Sequence, residues 1–166
     1  MKIVSTNIDP HLEPILATVS DPEIPVLTVL DLGVVRSAKR NEKKVFVELT
    51  PTYSGCPAMD TMATDIALAL EGAGFEPIIK LILSPAWSTD WISEEGRQKL
   101  EAYGVAAPLS ESQDKRALID GKRVVACTNC KSTNTKMVSQ FGSTACKALF
   151  QCEDCLEPFD YFKCLK

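Results

Sequence analysis

Four cysteines fall in two matched pairs, Cys127-x2-Cys130 and Cys152-x2-Cys155, in the last third of a 166-residue chain. A two-residue gap lets one tight turn aim both sulfurs of a pair at one ion, and a soft dication takes four thiolates in a tetrahedron. The spacing therefore predicts one tetrathiolate metal site carried by a zinc ribbon. Zinc is the expected metal because such a site is closed and structural; a single iron or a cluster uses the same ligands and stays open. Two disulfides in a secreted protein are the competing reading. The chain opens Met1-Lys2-Ile3 with no apolar signal region after it, so reduced thiols and a cytoplasmic location are expected.

Three further cysteines need separate treatment. Cys56 lies between Gly55 and Pro57 at the predicted start of a helix, where unsatisfied amides and the positive end of the dipole favour a thiolate. A thiolate there can hold iron or receive a cluster, whereas the plain alternative is a small buried hydrophobe. Cys146 follows a Gly142-Ser143-Thr144 turn and is either an auxiliary thiol or packing. Cys164 is read as incidental.

What is missing excludes whole classes of chemistry. His11 is the sole histidine, so a Ser-His-Asp triad, a two-His-one-carboxylate iron site or a helical Glu-x-x-His di-iron site has nowhere else to form. Gly72-Ala73-Gly74-Phe75 lacks the third glycine of a dinucleotide loop and reads as a helix C-cap. No apolar run reaches the roughly 20 residues that cross a bilayer. Residues 1–120 hold 11 basic and 18 acidic side chains and residues 121–166 hold 7 and 4, giving an acidic body and a mildly basic ribbon. An acidic body disfavours wrapping nucleic acid.

The elements that position these residues follow from period and punctuation. Asp9-Pro10, then Leu12, Ile15, Leu16 and Val19, predicts a helix over about 9–19, closed by the two prolines of Asp21-Pro22-Glu23-Ile24-Pro25. Leu30 to Val35 leads into a strand, Asn41-Glu42-Lys43 is a polar connection, and 44–50 alternates as a second, antiparallel strand. A helix is expected over 57–71 from Met59, Met62, Ala63, Ile66, Ala67 and Leu70. The apolar run 77–84 suits a central strand covered on both sides, and Ser93 caps a helix ending near Gly104. The division expected is a domain over 1–105, a linker over 106–120 and a ribbon over 121–166.

Several dispersed motifs carry a resemblance. Asp21-Pro22-Glu23-Ile24-Pro25, Asp31-Leu32-Gly33, Thr50-x5-Cys56-Pro57 and Ser84-Pro85-Ala86-Trp87-x3-Trp91-Ile92-Ser93-Glu94-Glu95 occur in the order found in the SufT-like domain of iron–sulfur targeting and assembly factors. The loop before Cys56 departs from its usual form in those factors, which leaves the geometry at Cys56 to be established. With Phe141 to Lys147 and Cys152 to Lys163 added, the whole chain resembles the PaaD-like family of accessory proteins encoded with the multicomponent phenylacetyl-CoA epoxidase. The resemblance implies a small α+β domain (helix, two strands, helix, strand, helix) followed by a zinc ribbon. It also implies a role in phenylacetate breakdown, in which the protein supplies iron or an iron–sulfur cluster to the epoxidase. It brings Asp21 and Glu23 near the Cys56 loop, where each is either an oxygen ligand or a turn cap.

Three functions follow for comparison. A non-catalytic maturation factor would hold iron or a cluster transiently at Cys56 and touch the reductase or oxygenase components. A structural subunit of the epoxidase would co-purify with them in fixed ratio. A ribbon that binds nucleic acid would use Trp87, Trp91, Phe159, Tyr161 and Phe162 for stacking, although such aromatics more often cover a thin ribbon core. The first is preferred; enzymatic activity of the chain itself and a homodimer are left open.

Overall fold

A computed structural model describes residues 7–110 and 124–163. Residues 111–123, which include most of the expected linker and the first residues of the expected ribbon, lie outside the described residues, as does Cys164. The chain divides into two compact units, residues 1–87 with 91–96, and residues 88–90 with 97–166.

In the first unit, β1 (Asn7–Ile8), β2 (Val35–Asn41), β3 (Lys44–Leu49) and β4 (Glu76–Leu81) form a sheet in that spatial order. β2 and β3 are antiparallel across Glu42 (φ 53°). α2 (Ala58–Gly72) carries the chain from β3 to a parallel β4. Its buried stripe is Ala58, Met59, Met62, Ile66 and Leu70, and it packs against β4 and against α1 (Glu13–Leu16). Val45, Val47 and Leu49 alternate inward from β3, as period-2 patterning requires.

Two sequence expectations need correction here. The first helix spans only Glu13–Leu16, because the Val29 amide donates to the Val19 carbonyl and Ser20 bridges to Thr28, pulling the chain into an extended pairing. Leu12, Leu16 and Val19 are nevertheless buried. The run 77–84 is not a central strand: β4 is the sheet edge among the described residues, with Ile78, Leu81 and Leu83 44%, 49% and 68% exposed.

Two of the dispersed motifs prove to be halves of one joint. Trp87 Nε1 donates to the Leu32 carbonyl at 2.8 Å, and Ser93 donates its amide to the Asp31 carbonyl (2.8 Å) and its hydroxyl to Asp31 Oδ1 (3.0 Å). Asp31 Oδ2 accepts from the Thr28 amide and hydroxyl, so its buried charge is fully engaged. Gly33 has φ +67°, and a Cβ there would lie 2.4 Å from the Trp91 carbonyl oxygen. The close approach of Trp91 therefore requires glycine after Asp31-Leu32. Arg36 stacks on the Trp91 ring at 3.6 Å.

The second unit is built on the sheet β5 (Val105–Ala106), β8 (Pro158–Phe162), β7 (Lys147–Cys152) and β6 (Thr135–Ser139), in that order. α3 (Glu94–Tyr103) begins in the first unit and runs into this one. The expected linker differs at its near end, where β5 pairs in parallel with Asp160 and Tyr161. The Leu109 amide donates to the Tyr161 hydroxyl at 3.2 Å, and Arg97 donates to the carbonyls of Pro108 and Thr89, both at 2.6 Å. Residues 105–110 thus belong to the packed unit, because apolar Val105 and Ala106 fill a sheet edge. The core is Ala106, Val125, Cys127, Ala148, Phe150, Cys152, Phe159 and Tyr161, with Phe150 edge-on to Tyr161 at 5.5 Å. Small apolar content on this scale leaves such a module dependent on a further stabilising element.

Candidate metal centre

Each cysteine pair sits in the same backbone turn. The Cys127 amide donates to the Ser132 carbonyl (2.8 Å) and the Cys152 amide to the Glu157 carbonyl (2.9 Å), five residues on in both cases. The residue after the second cysteine of each pair turns left-handed, with Lys131 at φ 61° and Leu156 at φ 65°. That conformation folds the turn back on itself and is unusual for residues with a Cβ.

The two turns face each other. Sγ of Cys127 is 3.6 Å from that of Cys155, Sγ of Cys130 is 3.5 Å from that of Cys152, and all four lie within 4.8 Å of one another. A tetrahedron with metal–sulfur bonds of ~2.3 Å has edges of ~3.8 Å, so the donor set fits one ion. Bound there, an ion supplies the positive charge that lets four thiolates share so small a space. Cys127 and Cys152 are buried in the ribbon core, whereas Cys130 and Cys155 are exposed.

Without that charge Cys152 and Cys130 shift in opposite directions. The Cys155 amide, which donates to Sγ of Cys152 at 3.5 Å, does most to bring the Cys152 thiol down to about 7, against the opposing effect of burial. At Cys130 the Ser132 amide lowers the value. The Cys155 sulfur, burial and the other two sulfurs outweigh it and push the thiol up to about 12. Around the sulfurs, Ser132 Oγ donates to Asp154 Oδ2, and Asn134 Nδ2 donates to Asp154 Oδ1 at 2.7 Å. The Ser132 hydroxyl, and then the Asn134 amide, hold the Asp154 carboxyl below the usual carboxylate range.

The remaining candidates lie elsewhere. Cys56 is buried, 9% exposed, two residues before the first residue of α2; its amide donates to the Tyr53 carbonyl and its carbonyl accepts from the Met59 amide, each at 3.2 Å. Asp21 is buried and its Oδ1 caps the turn, accepting the amides of Glu23 and Ile24 at 2.7 Å. Among the described residues the four ribbon cysteines are the sole group of three or more metal-ligating side chains, so Cys56, Asp21 and Glu23 are not gathered into a second one. Cys146 is buried with its sulfur 3.1 Å from the Thr144 hydroxyl, outside the tetrathiolate group. Sequence reasoning quoted Thr50 within a motif but gave no sign that its buried hydroxyl has no partner among the described residues. It also missed Asp154 and the left-handed Lys131 and Leu156, for which no glycine gave a signal.

Comparison with known proteins places this geometry. The family model described as the PaaD zinc beta ribbon domain matches residues 111–163, and that of the iron–sulfur cluster assembly protein family matches residues 12–74. A protein of Escherichia coli (strain K12), provisionally named as one of the subunits of 1,2-phenylacetyl-CoA epoxidase, is 44% identical over 152 residues, covering 91% of this chain and 90% of that protein. The chain belongs to the PaaD family. About half of this PaaD-family chain also resembles an Fe-S protein maturation auxiliary factor of Porphyromonas gingivalis (strain ATCC BAA-308 / W83). The two are 38% identical over 88 residues, 51% of this chain and 83% of the other. A crystal structure of domain of unknown function DUF59 from Bacillus anthracis shares the fold over about half of the chain. It has a TM-score of 0.50 at 24% identity and covers 54% of this chain and 88% of that domain. Among the described residues of the PaaD-family chain no helix is long and apolar enough to cross a membrane.

Proposed function

We propose that this PaaD-family chain is an accessory maturation factor of a phenylacetyl-CoA epoxidase system, assisting the insertion of iron or an iron–sulfur cluster into an epoxidase component. The observation that carries this reading is the joining, in one chain, of an iron–sulfur-assembly region and a tetrathiolate ribbon, in a protein that matches a named epoxidase component over nearly its whole length. In this reading the ribbon is a zinc-stabilised module, because sulfurs within 4.8 Å of one another suit a single ion. The same tetrahedral sulfur set is also compatible with one iron.

Transfer is assigned to the first region. Cys56 supplies the thiol that takes up iron or a cluster, while Asp21, whose Oδ1 accepts the Glu23 amide, caps its own turn. Burial of Cys56 keeps the cargo from water until a client component displaces the 51–56 loop, in which a Cβ on Gly55 (φ 81°) would meet nothing within 4 Å. The reductase and oxygenase components are the clients that this chemistry suits.

The test is the iron content of epoxidase isolated from cells containing the wild-type chain, Cys56→Ala or no chain. Normal amounts of epoxidase protein with depleted iron in the last two support the reading. Equal iron in all three overturns it.

A further inference from the structure

The tetrathiolate group has a closed side and an open side. Cys127 and Cys152 are fully buried among Phe150, Phe159 and Tyr161, so an ion held by the four sulfurs meets solvent only past Cys130 and Cys155. The hydrophobic core does not reach that edge. What joins the two turns there is a set of polar contacts, and Asp154 is at its centre. Placed between Cys152 and Cys155 in one turn, its carboxylate takes the Ser132 hydroxyl on one oxygen and the Asn134 side-chain amide, at 2.7 Å, on the other. Both donors belong to the chain just after the other turn. Asn134 also donates its backbone amide to Ser132 Oγ at 3.0 Å and accepts the Glu153 amide at 2.8 Å. The clasp therefore closes at the point where the β6–β7 pairing ends, at Thr135 opposite Cys152.

We propose that Asp154 is a positioning residue for the metal centre: by clasping Ser132 and Asn134 across the two turns it holds shut the Cys130–Cys155 edge and sets how slowly a bound ion leaves. The inference rests on the four cysteines being metal ligands. The carboxylate touches no sulfur; it acts by fixing where the exposed pair stands relative to the buried pair. Groups that orient metal ligands in this way characteristically change metal affinity 10–100-fold when removed. Because this clasp is solvent-exposed, the expected effect is at the lower end, about tenfold.

The control is Glu153, the adjacent carboxylate, which pairs with Lys136 of β6 at 3.2 Å. Full-length protein is stripped, reconstituted with one equivalent of Zn2+, and followed as excess chelator removes the ion. Asp154→Ala is expected to release zinc about tenfold faster than wild type, and Glu153→Ala to stay within about twofold. Ser132→Ala combined with Asn134→Ala is expected to match Asp154→Ala, and adding Asp154→Ala to that pair to give no further acceleration, since the three act as one unit. Co2+ substitution checks that each variant retains a tetrathiolate spectrum; should Asp154→Ala fail to reconstitute, Ser132→Ala alone, which removes one of the two bonds, carries the comparison. Equal release from wild type and clasp variants, or equal acceleration by Glu153→Ala, overturns the proposal. Failure of the wild-type chain to take up any ion overturns instead the assignment of the four cysteines, and is seen before any variant is compared.

Discussion

Leu156→Gly is expected to tighten metal binding although it removes a whole side chain. Leu156 sits at φ 65° immediately after Cys155 and is 67% exposed, so its side chain contributes little packing. Holding a residue with a Cβ in the left-handed region costs about 1–2 kcal/mol. Glycine removes that cost and adds about 0.5–1 kcal/mol of extra unfolded-state entropy to be lost. The contact Leu156 does make, its carbonyl accepting Gln151 Nε2 at 3.3 Å, belongs to the backbone and survives the change. The net gain is about 0.5–1 kcal/mol. Ion binding and folding of a small ribbon are one equilibrium, so the gain appears as roughly two- to fivefold tighter binding. Leu156→Ile has the opposite sign, because a β-branched side chain is worse in that region; about fivefold weaker binding is expected. Competition against a chromophoric chelator at fixed pH reads both. Weaker binding by Leu156→Gly, or unchanged binding by Leu156→Ile, would refute the strain argument. Lys131→Gly is a less clean test, since it also removes the exposed Lys131–Glu101 ion pair at 3.6 Å.

Other consequences are read from stability. Gly33→Ala combines a strained φ with a Cβ 2.4 Å from the Trp91 carbonyl oxygen, and is expected to destabilise the first unit by roughly 3–5 kcal/mol, seen as a lowered denaturant midpoint. Trp87→Phe keeps most of the packing but leaves the Leu32 carbonyl without its 2.8 Å indole donor; a loss of about 1–2 kcal/mol in the same measurement is expected. Cys127→Ser removes a fully buried ligand and should abolish hydrogen-exchange protection in β6–β8 while leaving α2 and β2–β3 protected, so protection retained throughout without a bound ion would contradict a metal-dependent ribbon.

The legible parts of this molecule were those where a local pattern meets a local cause. Two C-x2-C turns bring four sulfurs together because each turn is set by its own residues. The stripe from Met59 to Leu70 made α2 legible for the same reason. The misreadings share a different origin. An apolar run such as 77–84 says that a strand is buried somewhere, not how many neighbours it has, and β4 is an edge with half-exposed Ile78 and Leu81. The Leu12–Val19 stripe is buried as expected, yet long-range pairing of 19–20 with 28–29 overrides its helical period. Two-residue β5 gives no periodic signal at all, so the packed segment 105–110 read as linker. Asp154 is a further case, since its role depends on Ser132 and Asn134, 20 or more residues away and joined to it only by the sheet.

A maturation factor acts before turnover, a structural subunit during it. The most direct discrimination is therefore the phenylacetyl-CoA turnover of purified, fully iron-loaded epoxidase, assayed without this chain and again with one equivalent added. A maturation role predicts the same rate in both. Turnover that appears only with the equimolar chain would contradict it and assign the protein to the working complex.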